Sequence, residues 1–309
     1  MIGASKHFTD NEYLASLKKI ETFNDGRASL YELAKRYDLL KSKYGFIKEP
    51  VYTVSIDSKD EPVEVTVFCY KSAKIGEAIW LLAGVHGEEP TGPNAIARNI
   101  DIIGKLGQET PIIVYPLLNA KGYVKDNRYP DEYRDWYLGH SVGDSEHYLR
   151  GGSPSSEIAV KVTKSVLENI NSYPPILTVD LHEDELLDRS YIYSQGSKGA
   201  KDEAARKAVS ILEESGIPIK KEGSTRFPNE FIIEGIVVDE NGKPVKDGSI
   251  DELLSSKLIF KDKVVVKKPF ASTSLVIETP TIGVSLEKRI NAHSNIIKAL
   301  QVLRELVNK

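Results

Sequence analysis

The chain has 309 residues, 40% of them hydrophobic and 28% charged, with a formal net charge of −4, an ordinary globular composition that excludes a disordered or low-complexity chain. No long block of Lys or Arg is present, so there is no electrostatic footprint for nucleic acid or an anionic membrane, and neither is expected as a partner. The single cysteine, Cys69, excludes an internal disulfide and any multi-cysteine metal site; with no apolar signal-peptide core at the start and no run approaching about 20 apolar residues, the expected compartment is the cytoplasm.

Residues 1–48 read as a helical extension, with Ser29 and Glu32 spaced as a capping box and Leu30, Leu33, Ala34, Tyr37 and Tyr44 on one stripe before Gly45. Residues 51–56 and 63–70 flank a polar "DSKDEP" turn and predict two antiparallel strands. Apolar runs then alternate with helices: "AIWLLAGV", a helix near 93–105, "IIVYPLL", a helix near 156–171, "ILTVDL", "YIYSQ", a helix near 201–215, "SLVIE", and a closing helix near 286–307. Short unbroken apolar strands separated by helices predict an α/β fold, a three-layer sandwich whose central, mainly parallel mixed sheet is covered by helices on both faces. Residues 222–268 interrupt this rhythm with "FIIEGIVVDENGKPV", an Asn-Gly hairpin signal, and "KVVVKK". They read as a lid-like insertion in one domain spanning 1–309, because about 45 residues bury too small a core to stand alone.

Ligands bind such sheets beyond the carboxyl ends of the strands, and there the polar residues gather. "LLAGVHGEEPTG" places His86, Glu88 and Glu89 after one strand, "DLHEDE" places Asp180 and His182 at the end of another, and Glu278 ends "SLVIE". Any one of these could be a solvated strand end or a cap. Together they suit catalytic zinc, which takes three imidazole or carboxylate ligands and leaves one position open. His86 and Glu89, three apart in a tight loop, and His182 from a neighbouring strand supply the set. Asp180, two residues before His182 and on the same face of a continuing strand, can orient its imidazole. Glu278 is left to accept a proton from the activated water. Glu88 reads as a solvated or cap-forming neighbour.

These residues resemble the zinc carboxypeptidases and their deacylase relatives, the succinylglutamate desuccinylase and aspartoacylase group. The likeness runs from about Tyr52 to the C-terminus through "GVHGEEPTG", "YPLLNAKGY", "DLHED" and "LVIETP", in the family's order. It implies one zinc ion per chain on His86, Glu89 and His182, Glu278 as general base, and, from "NAKGYVKDNRY", Arg128 as the group polarising the scissile carbonyl, with Arg134 and Arg150 as rivals. The family's Asp-x-Asn-Arg, which grips a terminal carboxylate, has "DSEH" in its place: Asp144 is kept, but Glu146 and His147 stand where Asn and Arg are expected. A carboxylate facing a carboxylate puts ordinary C-terminal recognition in doubt; alternatively His140, Asp144, Glu146 and His147 hold a second metal. Tyr191, Tyr193 and Arg226 are further candidates for substrate contact.

The sequence thus implies a zinc-dependent hydrolase of peptide or amide bonds, and its rivals are a deacylase of small N-acyl amino acids, a catalytically silent binding module and a purely structural protein. A peptide or N-acyl amino acid is the expected substrate, and a homo-oligomer is compatible with the chain.

Overall fold

A computed structural model describes residues 10–129, 144–227 and 229–307. Two helices come first, Asp10–Leu17 (α1) and Leu30–Tyr44 (α2). The second forms as its sequence requires: Ser29 accepts from the Glu32 amide, Glu32 accepts from the Ser29 amide, and Gly45 ends the helix at φ 71°. Ile47–Ile56 (β1) and Val63–Lys71 (β2) make the expected antiparallel hairpin.

Strand Ala78–Ala83 (β3) follows, then helices Thr91–Arg98 (α3) and Ile100–Glu109 (α4), strand Ile112–Tyr115 (β4) and helix Ala120–Lys125 (α5). The one helix expected near 93–105 is therefore two. They part at Asn99, whose side-chain amide donates to the Ala95 carbonyl at 2.8 Å and competes with the helix for its own acceptors.

After residue 143 come Glu146–Leu149 (α6), Glu157–Asn169 (α7), Pro175–Asp184 (β5), Tyr191–Ser194 (β6) and Glu203–Glu214 (α8). Three short strands, Glu222–Ser224 (β7), Phe231–Ile233 (β8) and Ile236–Val238 (β9), precede helix Ile250–Ser255 (α9) and the hairpin of Leu258–Lys261 (β10) with Val264–Lys267 (β11). Thr273–Pro280 (β12), Leu286–Lys298 (α10) and Leu300–Leu306 (α11) complete the order, the expected closing helix being broken at Ala299.

Among the described residues, ten strands form one sheet, ordered β1-β2-β4-β3-β5-β12-β6-β9-β8-β7. Its centre, β4, β3, β5 and β12, is parallel, as is the β6–β9 pair; the remaining joins are antiparallel. The parallel strands are apolar because both faces are covered: every residue of β3 and β5 is buried. Along β12, Thr279 meets His293 of α10 at 3.1 Å, whereas Ser274 donates to Asp251 of α9 at 3.2 Å. Odd and even residues of a strand point to opposite faces, so α9 and α10 lie on opposite sides of the sheet.

Within 222–268, β7, β8 and β9 extend the edge of the main sheet. The Asn241-Gly242 pair, read as a hairpin signal, joins no strands. Asp239 closes that turn on itself, its carboxylate accepting from the Asn241 and Lys243 amides, each at 2.8 Å. The hairpins turn instead at Glu234-Gly235, between β8 and β9, and at Asp262-Lys263, between β10 and β11, where both central residues of each pair have positive φ.

Candidate metal centre

Because β3, β5 and β12 are adjacent and parallel, their carboxyl ends share one edge of the sheet. The loop between β3 and α3 carries His86 and Glu89, β5 carries Asp180 and His182, and Glu278 of β12 stands directly opposite His182 in register. Paired residues share a face, so the three strand ends deliver their polar side chains to one place.

Glu89 is at the centre. Its Oε1 lies 2.8 Å from Nδ1 of His86 and its Oε2 2.9 Å from Nδ1 of His182, with the two imidazole rings 4.9 Å apart. One donor atom from each residue falls within 4.8 Å of the others. On the far side of its ring, His182 Nε2 stands 3.1 Å from Oδ2 of Asp180. This is an ion-pair contact without hydrogen-bond alignment, and neither oxygen of the fully buried Asp180 accepts a hydrogen bond from a described residue.

The electrostatics suit a cation. Burial lowers the pKa of His86 to about 4, which keeps its ring neutral and its lone pair available. Burial also opposes charge on His182, yet the Asp180 and Glu89 carboxylates hold its pKa well above the usual imidazole value. The cluster therefore draws positive charge, which a proton supplies here and a divalent ion can replace. Two imidazoles and a carboxylate, with a second carboxylate behind one ring, match zinc in ligand type and number.

The loop is held by residues distant in sequence. Gly87 and Gly122 pack back to back: a Cβ on Gly87 would lie 2.1 Å from the Gly122 carbonyl carbon. Asn119 fixes the second segment, accepting from the Gly122 amide at 2.8 Å and donating to the Arg128 carbonyl at 3.0 Å. The "HG" and "NAKG" motifs are two halves of one contact. Arg27, 6% exposed, adds a brace from the N-terminal segment, donating to the carbonyls of Gly87 at 3.2 Å and Tyr123 at 2.6 Å while pairing with Asp25 and Asp126. Local patterning indicates only a packing role for that segment, and the one local signal for Arg27 is Asp25, two residues away.

Arg128 lies at the edge of the donor set, its Nη1 donating to Glu88 at 2.9 Å and to Glu89 at 3.0 Å. Glu88 is therefore an ion-pair partner, in place of the solvated or capping role read from sequence. Burial, then the charge of Glu89, raises its pKa to about 7. Glu278 makes no side-chain hydrogen bond to a described residue, and burial raises its pKa to about 8, the His182 charge opposing and the Glu89 charge adding. Tyr191, opposite Glu278 in register, donates to Asp184, and Tyr193 donates to Glu230 at 2.7 Å.

Other expected contacts do not gather here. Glu146 pairs with Arg150 at 2.6 Å within α6 and its cap, and Arg150 also grips Glu252 at 2.9 and 3.0 Å. The Glu146 carboxylate is thereby ion-paired, and Arg150 is committed away from the metal ligands. Asp144 accepts from Ser155 at 3.3 Å, and neither nitrogen of His147 has a hydrogen-bond partner among the described residues. Asp144, Glu146 and His147 form no metal-binding group among the described residues. Arg226 is exposed and stacks on Phe227 at 5.0 Å. Arg134 and His140 lie outside the described residues.

No protein-family model matches the chain, and no curated sequence relative matches it. Solved structures do. A Shewanella baltica protein described as a putative metallopeptidase aligns with a TM-score of 0.65 at 16% identity, over 89% of this chain and 91% of its own. A similarly described Shewanella amazonensis protein gives 0.65 at 18%, over 88% and 92%. A metallo-carboxypeptidase from Burkholderia cenocepacia gives 0.59 at 11%, over 90% and 70%. By architecture, this chain has the metallo-carboxypeptidase-like α/β fold.

Proposed function

We propose that this protein is a zinc-dependent hydrolase of peptide or amide bonds. One observation carries the reading: a buried His86–Glu89–His182 donor set stands beside an uncommitted carboxylate, Glu278, at the carboxyl edge of parallel strands. Zinc, when bound by these three residues, supplies a Lewis acid that acidifies water near neutral pH.

The chain's own groups supply the rest. Glu278, beside His182 on the adjacent strand and free of hydrogen-bond partners among the described residues, acts as a base in its ionised form, which a cation on the ligand set would favour against the burial that raises its pKa; it accepts the proton of the attacking water and returns it to the leaving amine. Arg128 brings its guanidinium to the edge of the set, where it stabilises negative charge on the attacked carbonyl oxygen. Asp180 holds the outer nitrogen of His182 and so fixes which nitrogen faces the metal.

Two measurements test this. Purified protein is expected to bind one zinc per chain, and Glu278→Gln is expected to retain the zinc while losing about 10²–10⁴-fold in kcat. Absence of zinc uptake, or full turnover by the variant, overturns the reading. Assaying blocked peptides beside N-acyl amino acids separates a peptidase from a deacylase.

A further inference from the structure

The strands that carry the metal donors at their carboxyl ends border a cavity at their amino ends. It has a volume of about 520 Å³ and is lined by Glu77 ahead of β3, by Pro174, Pro175 and Ile176 around the start of β5, and by residues between β11 and β12 that include Lys268 and Phe270. That volume lies within the range of roughly 300–1,000 Å³ typical of small-molecule sites. The six residues of β3 alone put about 20 Å between the two ends, so the cavity is separate from the donor set.

Lys268 is the unusual group in this lining. It is 7% exposed, and a lysine so buried is ordinarily paired. Its Nζ donates to the Pro269 carbonyl at 3.1 Å, and no carboxylate pairs with it among the described residues. An ammonium has three N–H donors, so two are left without an acceptor among those residues. Burying a cation in this way is costly, and an anion placed against it removes the cost. The other two charges on the lining, Lys267 and Glu77, are exposed and opposite in sign. With Lys268 charged, the cavity therefore offers one net positive charge between apolar walls, which suits a single carboxylate better than phosphate or a dicarboxylate.

We infer that this cavity is a binding site for a monocarboxylate with an apolar body, its carboxylate accepting from Lys268 Nζ and its body packing on Ile176 and Phe270. The inference stands apart from the proposed zinc chemistry. Binding draws in a proton, because burial lowers the pKa of Lys268 to about 7 and a carboxylate at Nζ raises it. The charged residues on the surrounding elements are Glu77, Lys267 and Lys257, whose carbonyl accepts from the Lys268 amide at 3.0 Å; burial, rather than any of these charges, sets the shift. Affinity is accordingly full below pH 7 and falls above it.

Calorimetric titration of the full-length protein with phenylacetate tests the site. At pH 6.5 one molecule is expected to bind per chain, with phenylacetamide, which lacks the charge, about tenfold weaker or more. Affinity for phenylacetate is expected to fall about tenfold or more between pH 6.5 and pH 8.5, and by a similar factor in Lys268→Met at pH 6.5. Absence of saturable binding up to about 10 mM overturns the site, as does equal affinity for the amide. Binding that survives Lys268→Met unchanged, as a carboxylate on the proposed zinc would, also overturns it, and inorganic phosphate binding more tightly than phenylacetate overturns the ligand class. A melting curve shows whether Lys268→Met is folded; if it is not, the amide and pH comparisons on wild type decide.

Discussion

At the scale of single residues, the site is a set of charges whose partners decide their use. Arg128 is tied to Glu88 and Glu89 through one nitrogen, which fixes its guanidinium beside the donor set. Arg128→Ala is expected to lower kcat/KM by about 10²–10³-fold, the usual loss for one oxyanion donor, while zinc remains bound; titrating zinc into the variant checks the second half. Away from the site, Lys268 is 7% exposed and burial lowers its pKa to about 7, from 10.5 for a free lysine. Between those values the unfolded chain binds one more proton than the folded one, so stability rises with pH across the window and the cost of charging the buried amine is full below pH 7. Lys268→Met is expected to flatten that rise, stabilising the protein more at pH 6 than at pH 10, as melting temperatures would show. His86, Glu89, His182, Asp180 and Glu278 could all be picked out from sequence, since each ends an apolar run or follows one within a few residues. Glu88 was misjudged because nothing nearby in sequence shows that Arg128, 40 residues later, reaches it.

Among the elements, strands and caps were legible and breaks were less so. The Ser29 capping box and Gly45 act within a few residues, and the structure forms both. Asn99 splits a predicted helix, and Asp239 closes a turn that the Asn-Gly pair had seemed to offer as a hairpin. In both cases a short polar side chain captures backbone groups, a competition that hydrophobic periodicity does not register. The contact between Gly87 and Gly122 joins two elements and yields a sharp expectation. Gly87→Ala should cost about 1–3 kcal/mol through overpacking against the Gly122 backbone, measured by urea unfolding of the metal-free protein so that lost zinc binding does not enter.

For the molecule as a whole, the proposed zinc couples the site to stability. A ligand that binds only the folded state stabilises it by about 2.7 kcal/mol at a hundred times its Kd. Adding zinc is expected to raise the melting temperature of wild type, chelation to reverse the rise, and His86→Ala to abolish it; calorimetry with and without chelator checks all three. The sequence by itself determined the α/β alternation and the strand ends that carry chemistry, because both are written in the period and punctuation of neighbouring residues. Only the tertiary structure decided that β3, β5 and β12 lie side by side, that Arg27 braces the ligand loop from 60 residues away, and that Arg128 reaches Glu88 and Glu89. Those facts depend on which faces pack together once the chain closes on itself, and a buried charge takes its partner from that packing rather than from its neighbours in sequence.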